Sequence, residues 1–299
     1  MDLERYKKII GDDYLSYFEL PITAIRLNNL KLEPEIIKEN LESKGYELKQ
    51  IPYYKNGYYV LNDGENGKLV SKEIEHILGY IFIQDASSMI PPIVLDPKPD
   101  ELILDLCAAP GAKTTQMAQM MGNSGLIIAN DIGLKRIKAL TSNLQRMGIM
   151  NTIVISVDGR ALWKKIDFKF DKILLDVPCS ASGTYNLENT KRISERLLRY
   201  LSGVQKALLK SAYNMLKEDG IMVYSTCSLE PEENEAVIDY ALKNLSVELE
   251  EIKIKGIETI DGFTFWNEMQ FDESLRKTKR VIKKGQEGFF IAKLRKIKS

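Results

Sequence analysis

The spacing of apolar and polar residues differs between the first part of the chain and the rest. In the first part, residues 34–45 have apolar side chains at helical spacing, with a proline at the start and a glycine at the end. Strands are predicted at 23–28, 47–51 and 58–61, the last two joined through the turn dipeptide Asn56-Gly57. These elements predict a small α/β module at residues 1–85, similar in its order of helix and strands to RNA-recognition modules.

A second pattern begins after a proline-rich stretch at 91–99. Short apolar runs, separated mostly by amphipathic helical segments, occupy 102–106, 126–129, 153–157, 173–175 and 221–224. Such runs are typical of strands buried on both faces, and they predict a doubly wound, mostly parallel α/β sheet with helices on both faces. Further strands at 247–254 and 289–294 make seven, and 177–194 and 255–288 remain as long irregular stretches. We assign residues 86–299 to this domain.

Composition narrows the possible partners. Lys+Arg and Asp+Glu both number 42, so no overall positive field indicates a nucleic acid. A local patch does exist, because ten basic residues follow from Arg276 onward against a single acid, Glu287. That segment could contact phosphates or could be a solubilising charged tail, and composition leaves both open.

Location and metal content follow from what the sequence lacks. It has no long apolar run and no signal peptide at its start, so we expect a cytoplasmic protein without membrane association. Cys107, Cys179 and Cys227 fit neither a disulfide framework nor paired zinc ligands, so we expect no metal, and any special cysteine should be chemically active. His76 is the only histidine, which leaves no convincing Cys-His or Ser-His-Asp arrangement; we expect it to be structural.

Acidic residues follow the predicted parallel strands, where ligands bind in such sheets. The first strand leads through Asp105 into a turn of small residues that enters a helix, and Asp131, Asp158 and Asp176 follow later strands. Each aspartate alone could be a helix N-cap. Together they suit an adenosine carrying a sulfonium and an ammonium group. A dinucleotide is less favoured, because the turn has only Gly111 where a pyrophosphate usually requires Gly-x-Gly-x-x-Gly.

Three longer motifs identify a family. They are Asp-Leu-Cys-Ala-Ala-Pro-Gly-Ala-Lys-Thr at 105–114, Asp-Val-Pro-Cys-Ser at 176–180, and Tyr-Ser-Thr-Cys-Ser-Leu-Glu-Pro-Glu-Glu-Asn-Glu at 224–235. In this order they resemble the Sun/Nop (RsmB/NOP) family of S-adenosylmethionine-dependent RNA cytosine-5 methyltransferases. Segments 84–89 and 288–294 and the triplet 26–28 also resemble that family, so the match covers most of the chain.

The resemblance implies a Rossmann-like class I methyltransferase core, with S-adenosyl-L-methionine as methyl donor and S-adenosyl-L-homocysteine as product. It implies that Asp131 binds the ribose with help from Arg136, that Asp158 binds adenine, and that Asp176 lies near the methionine amino group and the base. It also implies cofactor contacts from Cys107, Ala108, Ala109, Pro110, Gly111, Ala112 and Lys113. By the same resemblance Cys227 attacks the base, and Cys179 helps to release the product.

This chemistry requires a nucleophile because carbon 5 of cytosine is too electron-poor to attack a methyl sulfonium until a thiolate adds at carbon 6. We expect Asp176, protonated through burial, to donate to ring nitrogen 3, with Lys113 as an electrostatic neighbour. A helix starting at Pro231 should favour the Cys227 thiolate, whereas three nearby glutamates, Glu230, Glu232 and Glu233, oppose it. The target cytidine must leave its stack.

The substrate and the rival functions complete the expectations. We expect a monomer that acts on tRNA rather than rRNA, held through the N-terminal module and the basic C-terminal segment. Loop 183–189 lacks the paired basic residues and proline of many family members, and 280–284 lacks their proline and histidine. The rivals are a DNA cytosine-5 methyltransferase with Cys179 as nucleophile, a catalytically silent RNA-binding assembly factor, and a nicotinamide-dependent oxidoreductase.

Overall fold

The computed structural model describes residues 3–12, 14–17, 22–184, 193–282 and 285–298. Its α-helices are α1 (Leu3–Ile10), α2 (Tyr14–Tyr17), α3 (Pro34–Glu42), α4 (Ile74–Ile77), α5 (Ile90–Leu95), α6 (Ala112–Met120), α7 (Leu134–Met147), α8 (Glu195–Met215) and α9 (Glu235–Asn244). Its strands are β1 (Ala24–Leu27), β2 (Leu48–Gln50), β3 (Gly57–Val60), β4 (Ile81–Ile83), β5 (Leu102–Asp105), β6 (Leu126–Asn130), β7 (Thr152–Ile155), β8 (Phe170–Asp176), β9 (Leu216–Thr226), β10 (Val247–Leu249), β11 (Ile260–Asp261), β12 (Phe265–Trp266), β13 (Met269–Gln270), β14 (Lys279–Val281) and β15 (Phe289–Lys296).

The first sheet is antiparallel, with strand order β2-β3-β1-β4. Ile37 and Leu41 of α3 are fully buried against its apolar face, as the helical spacing of that segment predicts. The predicted helix and the strands β1, β2 and β3 are therefore all present. The sequence reading missed β4, whose three residues are too few to show a period.

The second sheet has nine strands within the described residues, in the order β11-β14-β15-β9-β8-β5-β6-β7, with β10 also paired to β15. Strands β5 to β9 pair in parallel, and β15 joins β9 antiparallel. The predicted mostly parallel sheet is confirmed, but the predicted number of seven is wrong. The additional strands β11 and β14 lie in 255–288, which was predicted to be irregular. They are two and three residues long and are defined by pairing, which leaves no local pattern to read.

The parallel strands carry helices on both faces. Ile103 and Leu174 belong to an apolar cluster with α5 and α6, whereas Leu104 and Leu175 belong to a cluster with α8 and α9. Neighbouring residues therefore face opposite helical layers, as doubly buried strands require. The prediction fails for β7, where Ile153 is 51% exposed, because this strand lies at the edge of the sheet and has one neighbour.

Helices α1 and α2 precede the first sheet in the chain but pack on the second. Tyr6, Ile9 and Tyr17 belong to the same apolar cluster as α8 and α9. Nε of Arg5 lies 2.6 Å from Oε2 of Glu230, and the hydroxyl of Tyr6 donates to the other oxygen of that carboxylate at 2.7 Å. The division of the chain near residue 85 stays a prediction, and α1 and α2, which precede it in the sequence, pack on the second sheet.

The two sheets meet through the family-like triplet 26–28. Arg26 is fully buried, and its Nη2 donates to the hydroxyl of Thr115 at 2.6 Å and to the carbonyl of Ala112 at 3.1 Å. Nδ2 of Asn28 donates to the carbonyls of Gly79 and Met147. The triplet therefore joins the module to α6 and α7 and is not available to RNA.

Within the parts of the chain that the structure describes, none of the helices combines the length and the apolar character that crossing a bilayer requires.

Candidate active site

The turn after β5 brings its backbone close to Asp131. Gly111 has φ of 103° and precedes α6, and a Cβ there would lie 2.9 Å from Cδ1 of Leu140. The amide of Ala109 donates to Oδ2 of Asp131 at 2.9 Å, and Nε of Arg136 donates to Oδ1 at 2.8 Å. The residues that were predicted to bind the ribose thus connect the ends of β5 and β6.

A cavity of about 280 Å³ opens beyond the ends of β5 and β6. Four residues predicted to contact the cofactor line it, namely Cys107, Asp131, Arg136 and Asp158. Tyr200, Leu201, Val204 and Leu208 of α8 form part of its wall. The sequence reading missed these four, because the apolar spacing of α8 indicates a buried face without telling which cavity that face reaches.

Asp158 has a second function that the N-cap alternative anticipated. Its Oδ1 accepts the backbone amide of Arg160 at 3.0 Å, which caps the 3₁₀ helix Gly159–Lys164. The side chain of Arg160 also pairs with it, and this hydrogen bond holds the pKa of Asp158 below its ordinary value. Capping and lining the cavity are compatible, because they involve the same half-exposed carboxylate.

A smaller cavity of about 30 Å³ adjoins the turn and is lined by Asp105, Cys107, Ala108, Ala109, Pro110, Ala112, Lys113 and Asp176. Oδ2 of Asp105 accepts the hydroxyl of Thr114 at 2.6 Å, but the buried Oδ1 has no hydrogen-bond partner. Burial raises the pKa of this carboxyl to about 7. An unpartnered acid oxygen in this position suits an ammonium group. The sequence predicted Asp105 to be one of the acids at the strand ends but indicated no separate role for it in the site.

Cys107 lines both cavities. Burial raises the pKa of its thiol well above the ordinary value, and the charges of Asp105 and Asp131 raise it further. This environment favours the neutral thiol over a thiolate nucleophile. The two cavities thus share Cys107, and both contain an acid, Asp131 in the larger and Asp105 in the smaller.

Lys113 and Asp176 form an ion pair where the small cavity approaches the cysteines. Nζ of Lys113 lies 2.8 Å from Oδ2 of Asp176 and 2.9 Å from the hydroxyl of Ser88. Burial lowers the pKa of Lys113, but the charge of Asp176 and its hydrogen bond, together with the charges of Cys227 and Asp105, outweigh burial, and the net shift is upward. The ion pair places Nζ of Lys113 against the carboxyl group that was predicted to protonate ring nitrogen 3 when the base is bound, and that donation stays a prediction.

The sulfurs of Cys179 and Cys227 lie 3.3 Å apart. The parallel pairing of β8 with β9 sets Asp176 opposite Ser225, so the residues just beyond both strands emerge side by side. The hydrogen bond with Cys227 and burial both raise the pKa of Cys179 well above the ordinary value. The structure thus brings together two cysteines that are distant in the sequence.

The expected helix beside Cys227 is displaced. Helix α9 begins at Glu235 rather than at Pro231, and Asn234 before it has φ −107° and ψ −95°. The side chain of Asn234 instead accepts from the hydroxyl of Thr226 at 2.6 Å and donates to the carbonyl of Ser228 at 2.8 Å. The helix that was predicted to favour the Cys227 thiolate therefore begins four residues later than expected.

The three glutamates near Cys227 do not act as free opposing charges either. Glu230 and Glu232 both pair with Arg5 of α1. Glu233 accepts hydrogen bonds from Ser180, Gln205 and Ser228. The sequence could not show this compensation, because Arg5 and Glu230 are 225 residues apart.

The basic C-terminal segment, which was predicted to contact RNA, is engaged in ion pairs within the protein, and its contact with RNA stays a prediction. Its described cations mostly lie on β14 and β15 and pair with acids of the same protein. Lys279 pairs with Glu251 and Asp261, Arg280 with Glu235, Lys293 with Glu250, Arg295 with Glu248, Lys296 with Glu218 and Arg276 with Glu273. Lys283, Lys284 and positions 185–189 of the atypical loop lie outside the described residues. The segment thus contributes two internal strands of the sheet, and the charges of its described residues are largely compensated within the protein.

His76 belongs to α4 in the first module, and burial lowers its pKa. Its carbonyl accepts a hydrogen bond from Arg146 at 2.7 Å. Among the residues that the structure describes, no three or more His, Cys, Asp or Glu side chains are grouped to hold a metal ion.

Comparison with known proteins identifies the family. Residues 92–295 match the model of 16S rRNA methyltransferase RsmB/F, and residues 3–86 match the N-terminal domain of 16S rRNA methyltransferase RsmF. The chain is 42% identical to the tRNA (cytosine(49)-C(5))-methyltransferase of Pyrococcus abyssi over 98% of its own length and 95% of that protein. It is 36% identical to ribosomal RNA small subunit methyltransferase F of Shewanella woodyi, where it spans 96% of itself but 60% of the relative.

Solved structures agree with these relatives. A methyltransferase homologue from Pyrococcus horikoshii superposes with a TM-score of 0.87 at 36% identity, covering 98% of this chain and 94% of that one. NSun6 from the same organism, solved with SFG, superposes with a TM-score of 0.84 at 26% identity, covering 99% and 97%. The motifs, the fold and these matches agree: the chain belongs to the RsmB/F methyltransferase family, which confirms its resemblance to the Sun/Nop proteins.

Proposed function

We propose that the protein methylates carbon 5 of a cytidine in RNA, with S-adenosylmethionine as donor and Cys227 as covalent nucleophile. The observation that carries the proposal is the 3.3 Å contact between the sulfurs of Cys227 and Cys179, beside the Lys113–Asp176 pair. The cytosine-5 activity in the name of the Pyrococcus abyssi relative supports it, as does SFG, an S-adenosylmethionine analogue, in the NSun6 structure.

The cofactor would supply a methyl group on a sulfonium. The larger cavity would hold its adenosine, with Asp131 on the ribose and Asp158 beside the adenine. The backbone from Cys107 to Lys113 would follow the tail, and the unpartnered oxygen of Asp105 would face the amino group, with Asp176 nearby. Arg136 fixes Asp131 from behind through two hydrogen bonds.

Cys227 begins the reaction as a thiolate. Its sulfur bonds to carbon 6, and the electron pair of the C5–C6 double bond is displaced toward carbon 5 and ring nitrogen 3. The Lys113–Asp176 pair would deliver a proton to nitrogen 3, since Nζ of Lys113 and the carboxyl group of Asp176 already share a hydrogen bond. Carbon 5 would then accept the methyl group that the bound sulfonium supplies, with S-adenosylhomocysteine as the second product.

Product release reverses the addition. A base removes the proton from carbon 5, the bond between carbon 6 and Cys227 breaks, and nitrogen 3 returns its proton, so that the ring regains its double bond. Cys179 lies in contact with the departing sulfur, and we assign it to this step.

The RNA class follows the more nearly full-length relative. We favour tRNA, because the Pyrococcus abyssi protein of that name is matched over 95% of its length. Ribosomal RNA is the second candidate, supported by the description of the matching family model. Bisulfite sequencing of tRNA and rRNA from a deletion strain tests both; loss of 5-methylcytosine from rRNA alone would contradict the tRNA assignment.

The DNA-methyltransferase, oxidoreductase and silent-factor alternatives are less supported. The family match disfavours the first two, and the intact cysteine pair, Lys113 and Asp176 disfavour the third. Methyl transfer from labelled S-adenosylmethionine to tRNA transcripts decides, since a silent factor would bind the RNA without labelling it. Action as a monomer in the cytoplasm stays a prediction.

A further inference from the structure

Glu233 is a fully buried carboxylate between the two loops that carry the cysteines. Its Oε1 accepts the backbone amide of Ser180 at 3.0 Å and Nε2 of Gln205 at 2.8 Å. Its Oε2 accepts the hydroxyl of Ser228 at 2.6 Å and that of Ser180. The reaction as described above does not use Glu233, yet its side chain contacts the residue after Cys179 and the residue after Cys227.

The loop that carries Cys179 depends on these contacts. Ala181 has φ of 56°, which is an uncommon conformation for a residue other than glycine. The amide group of Gln205 also donates to the carbonyl of Pro178 at 3.0 Å, so Gln205 and Glu233 hold the backbone on both sides of Cys179. A strained loop of this kind keeps its geometry only where its surroundings fix it.

Cys227 has additional support. It follows the long strand β9, and its carbonyl accepts the amide of Gly183 at 3.0 Å. Asn234 fixes the same turn through Thr226 and Ser228. Loss of Glu233 should therefore displace Cys179 more than Cys227.

We propose, on the basis of the function proposed above, that Glu233 is a positioning residue for product release, holding Cys179 against the sulfur of Cys227. A carboxylate suits this position because four of its neighbours, the amide and hydroxyl of Ser180, the hydroxyl of Ser228 and the amide group of Gln205, all donate to it. Glutamine has nearly the same shape but turns an NH₂ group toward at least one donor.

The test separates adduct formation from release in Glu233→Gln. A tRNA transcript containing 5-fluorocytidine stops at the methylated adduct, so it measures the first steps alone, whereas an ordinary transcript reports complete turnover. In Glu233→Gln we expect the rate of adduct formation to stay within about threefold of wild type and turnover to slow about 10- to 100-fold. The adduct on ordinary RNA should then be visible on denaturing gels. Glu232→Gln is the matched control, since the neighbouring glutamate pairs with Arg5 outside the cysteine loops; its two rates should remain in the wild-type ratio.

The pH dependence of the release step is a readout that a general loss of structure would not shift. After the hydrogen bond with Cys227 and burial, the charge of Glu233 is a further cause that raises the pKa of Cys179. Removing that charge in Glu233→Gln should lower the pKa of Cys179. The pH dependence of release should therefore shift to lower pH. If that variant fails to fold, Ser180→Ala removes one of the hydroxyl bonds and should cause a smaller release defect.

The outcomes are distinct. Equal slowing of both steps with an unshifted pH profile, or no slowing of release, overturns the role of Glu233. Wild-type protein that forms no 5-fluorocytidine adduct overturns the proposed function itself.

Discussion

The ammonium of Lys113 lies between Asp176 and Ser88, at 2.8 Å from the carboxylate and 2.9 Å from the hydroxyl. It therefore joins the end of β8 to the segment that precedes α5. This contact fixes the ammonium beside the carboxyl group that we propose to take part in protonating the base.

Replacing the acid of this pair tests its part in adduct formation. In Asp176→Asn the ammonium loses its counter-charge, and we expect adduct formation with 5-fluorocytidine tRNA to slow by about 10²- to 10⁴-fold. Single-turnover gels measure the rate, and Asp167→Asn, an exposed acid just before β8, is the control. Equal rates for the two variants would remove Asp176 from the mechanism.

The two cysteines should fail in different ways. Cys227→Ala should abolish methylation and leave S-adenosylmethionine binding by calorimetry nearly unchanged, because the residue lines neither described cavity. Cys179→Ala should instead accumulate a covalent complex with ordinary RNA. Peptide mapping of the 5-fluorocytidine adduct identifies the nucleophile, and attachment at Cys179 would exchange the two assignments.

Asp105 should make stability fall with rising pH. Its pKa is raised to about 7 in the folded protein from an ordinary 3.8. The folded state then binds the proton more tightly than the unfolded chain, so this contribution is complete below about pH 4 and is lost as the pH rises through about 7. Between about pH 5 and 7, the free energy of unfolding of the cofactor-free wild type should fall by about 2–3 kcal/mol relative to Asp105→Asn. Urea denaturation at both pH values measures it; parallel pH curves would refute the shift.

Arg26 should matter for stability more than for RNA contact. In Arg26→Leu the carbonyl of Ala112 and the side chains of Thr115 and Gln84 lose their donor in a buried interface. We expect a loss of about 2–4 kcal/mol in the free energy of unfolding by urea denaturation. Arg276→Leu, at an exposed surface ion pair, should cost below about 1 kcal/mol. Similar losses in both would contradict the interface argument.

The internal pairing of the last strand predicts how RNA binding responds to charge removal. Arg295 is engaged by Glu248 and Glu250, so Arg295→Gln should change tRNA affinity by less than about twofold and leave its salt dependence unaltered. A residue contacting phosphate would instead reduce the slope of log affinity against log salt by about one. Filter binding across a salt series distinguishes the two.

Patterns that are local in the sequence predicted most of the fold. The site could be located because ligands bind beyond the ends of the parallel strands in such a sheet. The period-two burial of Ile103 and Leu104 and the acids after successive strands follow from rules that act over a few residues. The 3.3 Å contact of Cys179 with Cys227 was implied by the family resemblance and depends on the pairing of β8 with β9, which no local pattern specifies.

The failed expectations share a cause, which is that the partner lies far away in the chain. Arg5 compensates Glu230, and Glu235 compensates Arg280, so charges that look free in the sequence are paired in the fold. Asn234 turns its side chain back to Thr226 and delays the helix predicted at Pro231. Only tertiary structure reveals such pairs.

The docking of α1 on Glu230 has a consequence for how the chain reaches its native state. Arg5 and Tyr6 leave the ribosome more than two hundred residues before the carboxylate that they bind, so α1 cannot make these contacts until strands β5 to β9 have been synthesised. Its contacts have a very large sequence separation, which places them among the late and slow events of folding. Once formed, these contacts join α1 to the second sheet and its helices. We therefore expect α1 and the second sheet to unfold in one cooperative transition rather than one after the other.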